Sequence, residues 1–235
     1  MTSVLKAGRH RAPQGPARRR SALAAAVAIV AALAMPAVLV PALLLSASPA
    51  LAYPSAPPGP TATRAHLATL TVAPAHPMTG YSRTKFPHWH VVAGSCNTRE
   101  TVLKRDGTGV TVDSACRPTA GRWYSVYDRK YFTEPSQVSI DHVVALANAW
   151  RSGADTWTTG RREAFANDLG SQQLIAVGAA INGVKGDQSP DQWMPPNTSN
   201  WCIYARSWIN VKYVWDLNVT RAEKSALEDV LDGSC

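Results

Sequence analysis

Residues 1–52 contain no acidic side chain, and the 235-residue chain has no Cys-x-x-Cys pair and no internal repeat. Each absence excludes something. Without that cysteine spacing, Cys96, Cys116, Cys202 and Cys235 do not read as a zinc site. Without a repeat, a solenoid architecture is excluded. No helix-turn-helix, finger or other base-reading module is recognisable, so sequence-specific recognition of a duplex has no visible carrier.

The missing acids give the amino terminus a one-sided charge. Lys6, Arg9, Arg11, Arg18, Arg19 and Arg20 precede a long apolar run from Ser21 to Ala52. The run ends in Ala50-Leu51-Ala52, the small-x-small pattern of signal-peptidase cleavage. It is long enough to span a bilayer. Pro36 and Pro41 interrupt it, however, and residues 1–52 are read as a cleaved signal peptide, through either the Sec or the Tat route. The formal charge of +8 comes from 24 basic and 16 acidic residues. Six of the basic residues and none of the acidic ones lie in 1–52, which leaves the remainder at +2. The high overall pI therefore reflects the export signal and does not argue for a nucleic-acid-binding surface.

Residues 53–78 are rich in Pro, Ala and Thr and read as an extended linker. Residues 79–235 have the length of one domain with a real core. An even cysteine count in an exported chain points to two disulfides, and three pairings are open. The sequential one, Cys96–Cys116 with Cys202–Cys235, closes the shortest loops.

Within this domain, β-branched runs flank Asp106-Gly107 and predict a hairpin there, which Cys96 and Cys116 would staple. "GRWYSVYD" adds a strand. "QVSI" is a short strand leading into Asp141-His142, and a helix follows, ending at Gly153. A second helix covers "TTGRREAFANDLG", with Thr159 as its N-cap and Gly170 past its end. "QLIAV" is a strand and "GAAINGVKG" a short helix. Trp201, Trp208, Val211 and Trp215 recur at near-helical spacing and predict a buried face. Thr220 to Glu223 form a capping box.

An Asp-His pair by itself proves little. It gains meaning from order: a strand ending in Asp141-His142, a second strand, then a helix carrying Asn182 and, one turn on, Lys185. Asp141-His142 should then lie at a strand end, because neighbouring strand residues point to opposite faces. "DHVV", "RREAFANDL" and "KGDQSPDQWMPP" follow "CNTRETVLKRDG" in sequence. This ordered set resembles the HNH, or ββα-metal, nucleases, and more closely the exported bacterial branch related to the GmrSD-type nuclease domain.

The resemblance covers about residues 79–235. It implies an α+β fold: a ββα-metal (HNH) core with inserted helices, an N-terminal disulfide-stapled hairpin region and C-terminal helices. It implies His142 as general base, with Asp141 and Asn182 holding one divalent metal. Mg2+ is expected first, with Mn2+, Ca2+ or Zn2+ as alternatives. Gln173, nine residues before Asn182, stands where the family pattern has a loop-ordering Asn. Lys185 is a candidate for touching phosphate.

Arg99 and Glu100 are candidate substrate-binding residues, against an ion pair that supports the hairpin. His88 and His90 have metal-ligand spacing, but an aromatic turn is the preferred reading. The implied activity is secreted, metal-dependent hydrolysis of phosphodiester bonds in DNA, with RNA as a further substrate. The protein should be a monomer with no stable membrane association after cleavage. Two other classes compete: a non-catalytic extracellular binding module that keeps the fold, and a metal-dependent hydrolase of cell-wall material.

Overall fold

A computed structural model describes residues 55–235. These residues fall in one unit, Ala47–Cys235. The expected signal peptide at 1–52 lies outside the described residues.

The first element is a helix, where the sequence reading has an extended linker. Helix α1 (Pro60–Thr69) starts with Pro at its first turn, where a missing N–H costs nothing. Leu67 and Leu70 are buried in the main core. Arg206 donates to the carbonyls of Pro57 and Pro58, both at 2.7 Å. Val72 bridges Val219, and His76 Nδ1 lies 2.9 Å from Asp155. Composition predicts an extended chain because Pro and Ala bury little. Two leucines at helical spacing and one arginine fork reverse that.

Strands β1 (Val91–Ala93) and β2 (Cys96–Asn97) form a small antiparallel pair. Helix α2 (Thr98–Asp106) follows, capped by the Asn97 side chain. This helix replaces the first strand expected of the hairpin. The hairpin itself is β3 (Gly107–Val112) with β4 (Pro118–Ser125), and it turns at residues 113–117, not at Asp106-Gly107. Asp113 makes that turn, accepting from Ala115 N and Arg117 N. The Cys96–Cys116 bond ties β2 to the turn. Strand β5 (Lys130–Phe132) completes a three-stranded sheet.

Strand β6 (Val138–His142) comes next, then helices α3 (Leu146–Arg151) and α4 (Thr159–Ala166), then strand β7 (Leu174–Gly178). The N-cap of α4 is Thr158, one residue earlier than expected. The β6–β7 pair is antiparallel, with His142 opposite Leu174 at the end of the ladder. All five residues of β7 are buried, as a strand covered on both faces requires.

Helix α5 (Ala179–Lys185) packs back on this pair. Its start needs glycine: a Cβ on Gly178 would lie 2.8 Å from the Phe132 ring. Its end needs glycine too, because Gly186 has φ +56°. Strand, strand and helix thus give the ββα unit inside an α+β fold, with α3 and α4 inserted between the two strands.

Helices α6 (Trp201–Trp215) and α7 (Arg221–Ser234) form the other wall of the core. Of the expected α6 face, Trp208 and Val211 are fully buried, joined by Tyr204, while Trp201 and Trp215 are only partly buried against the core. The expected capping box opens α7. Glu223 of that box also takes Lys212 Nζ at 2.7 Å, a buried pair joining α6 to α7. The Cys202–Cys235 bond closes the carboxyl end onto α6. Both disulfides have the sequential pairing.

Because Leu67 and Leu70 belong to the core, a chain beginning at residue 79 should be markedly less stable than one beginning at residue 55. Leu67→Ala alone should cost about 2–5 kcal/mol in urea denaturation. Equal stability of the two truncated chains would show that α1 does not contribute to the core.

Candidate functional site

The ladder carries the chain to Asp141 and His142 and then stops, as the strand-end argument requires. Both residues are buried. They line a cleft of about 220 Å3 together with Tyr81, Arg83, Asn182 and Asp187.

His142 is oriented by α4. Its Nε2 lies 2.9 Å from the Ala166 carbonyl, which only accepts, so Nε2 carries the proton and Nδ1 keeps its lone pair. The Trp89 ring stacks on the imidazole, with centroids 5.3 Å apart and planes 12° apart. His88 meets it edge-on at 6.1 Å. Burial pushes the imidazole pKa down to about 3. The neutral, proton-accepting form is therefore present throughout the neutral range, although it is a weaker base than a near-neutral histidine.

Asp141 is gripped from two sides. Tyr127 Oη donates to Oδ2 at 2.7 Å, and Lys185 Nζ donates to Oδ1 at 2.9 Å. Lys185 also donates to the His142 carbonyl at 3.0 Å. Burial pushes the Asp141 carboxyl up, while the lysine ammonium and the tyrosine hydroxyl hold it down. Lys185 is fully buried. It points inward, away from any approaching phosphate, so the expected phosphate contact gives way to a buried ion pair beneath the strand end.

Gln173 occupies the loop-ordering position and orders the loop. Its Nε2 donates to the Val144 carbonyl at 2.9 Å, and its Oε1 accepts from Val144 N at 3.1 Å. The Gln173 carbonyl takes Val143 N at 2.8 Å. The side-chain amide thus clamps both backbone groups of the residue two places after His142.

Asn182 Nδ2 donates to Ser139 Oγ at 2.9 Å, which leaves its amide oxygen as the available donor atom in the cleft. Arg99 and Glu100 sit on α2, 3.7 Å from each other, and neither lines the cleft. His88 and His90 part company: His88 stays by the site, while His90 is exposed and 3.6 Å from Glu163.

Sequence reasoning missed Tyr127, Arg83 and the place of Trp89. "FPHWH" signals an aromatic cluster, but nothing local marks Arg83 or Tyr127. The segment carrying Arg83 and Trp89 is held by the "RREAFANDL" helix. Arg162 Nε donates to the Lys85 carbonyl at 2.9 Å, and Asn167 bonds the Pro87 carbonyl at 2.9 Å and the His90 N–H at 3.2 Å. A motif first noticed for its resemblance thus has two duties: it orients the histidine through Ala166 and fixes one wall of the cleft.

The donors suit a hard cation. A carboxylate accepts at about four positions, and Asp141 uses two of them within the protein. The Asn182 amide oxygen lines the same cleft, as does the half-exposed Asp187 carboxylate, whose Oδ2 accepts from Arg151 at 2.5 Å. Among the described residues no three His, Cys, Asp or Glu side chains cluster as metal ligands. Sparse oxygen donors with room for water and phosphate fit the way Mg2+ is held, and fit a four-ligand zinc site poorly.

Residues 108–230 match the family described as GmrSD restriction endonucleases, C-terminal domain. An "Uncharacterized secreted protein" of Arthroderma benhamiae is 54% identical over 195 residues, covering 80% of this chain and 96% of that protein. No solved structure matches.

Two outcomes follow from the geometry. Lys185→Met leaves a buried carboxylate without its partner and should destabilise by about 3–5 kcal/mol, and adding Asp141→Leu should recover much of that. A Lys185→Met chain as stable as wild type would refute the ion pair. The depressed His142 pKa also has a sign. The unfolded chain binds the proton near pH 6.5, the folded chain only near pH 3. Stability from this residue is complete above pH 6.5 and falls by up to about 1.4 kcal/mol per unit as pH drops toward 3. Urea stability should therefore fall less steeply between pH 6.5 and 4.5 in His142→Asn than in wild type. Parallel profiles would contradict the burial argument.

Proposed function

This chain belongs to the GmrSD restriction endonuclease C-terminal domain family, and on that premise we propose that it is a secreted, metal-dependent endonuclease that hydrolyses DNA with little sequence preference. The observation that carries the reading is the tautomer of His142. Its Nε2–H is committed to the Ala166 carbonyl, so Nδ1 is the basic atom at a cleft lined by Asp141 and Asn182. Secretion rests on the two disulfides, the export-type amino terminus and the name of the Arthroderma benhamiae relative.

The chemistry follows from the residues. A water in line with the scissile bond loses its proton to His142 Nδ1 as its oxygen adds to phosphorus. The bond from phosphorus to the 3′ oxygen breaks, leaving a 5′-phosphate and a 3′-hydroxyl once the departing oxygen takes up a proton. Asp141 and Asn182 would hold the cation. When bound, it neutralises charge on the phosphate and on the departing oxygen. Tyr127 and Lys185 hold Asp141 in place, and Gln173 clamps the backbone of the Val143-Val144 turn. With no base-reading module and a charge of only +2 after residue 52, contacts to the phosphate backbone should dominate binding.

Purified protein should nick plasmid DNA with Mg2+ and stop with chelator. His142→Ala should slow nicking by about 10²–10⁴. Undiminished nicking by that variant would refute the assignment of the base. A folded wild type inert on DNA and RNA with Mg2+, Mn2+, Ca2+ and Zn2+ would instead favour a binding module that has kept the fold.

A further inference from the structure

The cleft has an electrostatic problem. Its lining includes the carboxylates of Asp141, paired with Lys185, and Asp187, paired with Arg151 at 2.5 Å, so neither of those cations is left for a phosphodiester, itself an anion. Lys185 is fully buried beneath the strand end and spent on Asp141. Among the residues lining the cleft, the one cationic side chain is Arg83.

Arg83 is exposed, and among the described residues its side chain is held at one point. Its Nε donates to His88 Nε2 at 3.2 Å. His88 Nδ1 lies 2.5 Å from the Phe86 carbonyl and donates to it, which fixes Nε2 as an acceptor. Phe86 is fully buried, and its N–H returns to the Arg83 carbonyl at 3.1 Å. The segment behind it is bound to α4 through Arg162 and Asn167. The guanidinium is thus aimed by a short relay rooted in the core. Its two terminal amino groups make no hydrogen bond within the described residues. That is the free, forked pair of donors that a phosphate's non-bridging oxygens take in bidentate fashion.

We propose that Arg83 is a catalytic residue that binds the scissile phosphate through its two terminal amino groups, with His88 as its positioning residue. This rests on the nuclease reading above. It places an essential cation in the segment before residue 108, outside the part of the chain that matches the family.

The test measures two things on the whole secreted chain. The first is plasmid nicking with Mg2+. Arg83→Ala should lower kcat by about 10²–10³ with a smaller change in KM. Arg83→Lys should be intermediate, because an ammonium cannot fork, and millimolar guanidinium should restore part of the lost rate to Arg83→Ala only. The second is anisotropy of a short fluorescent DNA duplex with the His142→Ala chain in chelator. Adding Arg83→Ala should weaken binding and reduce the salt slope by about one. Because Arg83 is exposed, thermal midpoints should not move.

Nicking within threefold of wild type with an unchanged salt slope would overturn the proposal. So would a loss that guanidinium does not relieve and that His88→Ala reproduces in full, since Arg83 would then merely brace His88. A wild-type chain that binds duplex through Arg83 but never cuts would keep the phosphate contact and remove the nuclease reading. A wild type that neither cuts nor binds would remove both.

Discussion

The ion pair between Lys185 and Asp141 is the constraint on which the rest of the site depends. A fully buried ammonium is tolerable only beside a carboxylate, and a buried carboxylate only beside such a partner. This mutual need ties the last residue of α5 to the end of β6. It sets the depth at which the helix crosses the two strands. The second lysine bond, to the His142 carbonyl, fixes the backbone where the strand ends and the side-chain alternation must break. Cleft, histidine and amide oxygen are then built on a junction that cannot slide without separating two charges in a poorly solvated interior.

Around that junction, each chemical group is held by a different element. Tyr127, just after β4, holds Asp141. Ala166, at the end of α4, orients His142. Gln173, before β7, clamps the following turn, and Ser139 on β6 steadies Asn182. No one loop carries the site. Burial of the imidazole is the physical cause of its lowered pKa, while the Nε2 bond to the Ala166 carbonyl keeps Nδ1 as the basic atom.

The parts that were legible in the sequence are those where local pattern and tertiary demand agree. Asp141-His142 at a strand end, the β7 run, the short α5, the buried stripe of α6 and the Thr220 capping box all carry their own periodicity or capping chemistry. The failures have distinct causes. "TVLKRD" is β-branched enough to resemble a strand, but Asn97 caps it and Val102 and Leu103 bury on one face, so it is helical. The 53–78 stretch has a linker's composition, yet Leu67 and Leu70 find a core and Arg206 a pair of carbonyls. Lys185 has the look of a free charge near a helix end, because the residue that buries it lies 44 positions away. Arg83 reaches the cleft, and Tyr127 reaches Asp141, only through the fold, so no neighbour in sequence could announce them.

The helix inserted between the two strands explains why the site needs more than its ββα unit. A bare strand-strand-helix could present Asp141, His142 and Asn182, but nothing in it would choose the imidazole tautomer or build the far wall of a cleft. Helix α4 does both. Ala166 takes the Nε2 proton, while Arg162 and Asn167 fasten the 85–90 segment whose Trp89 covers the ring. That segment in turn follows helix α1, which packs on α6 and α7. His142 and the oxygens of Asp141 and Asn182 thus come from one part of the chain. The wall that confines them comes from another, and α4 is the joint at which a change in either would be felt by both.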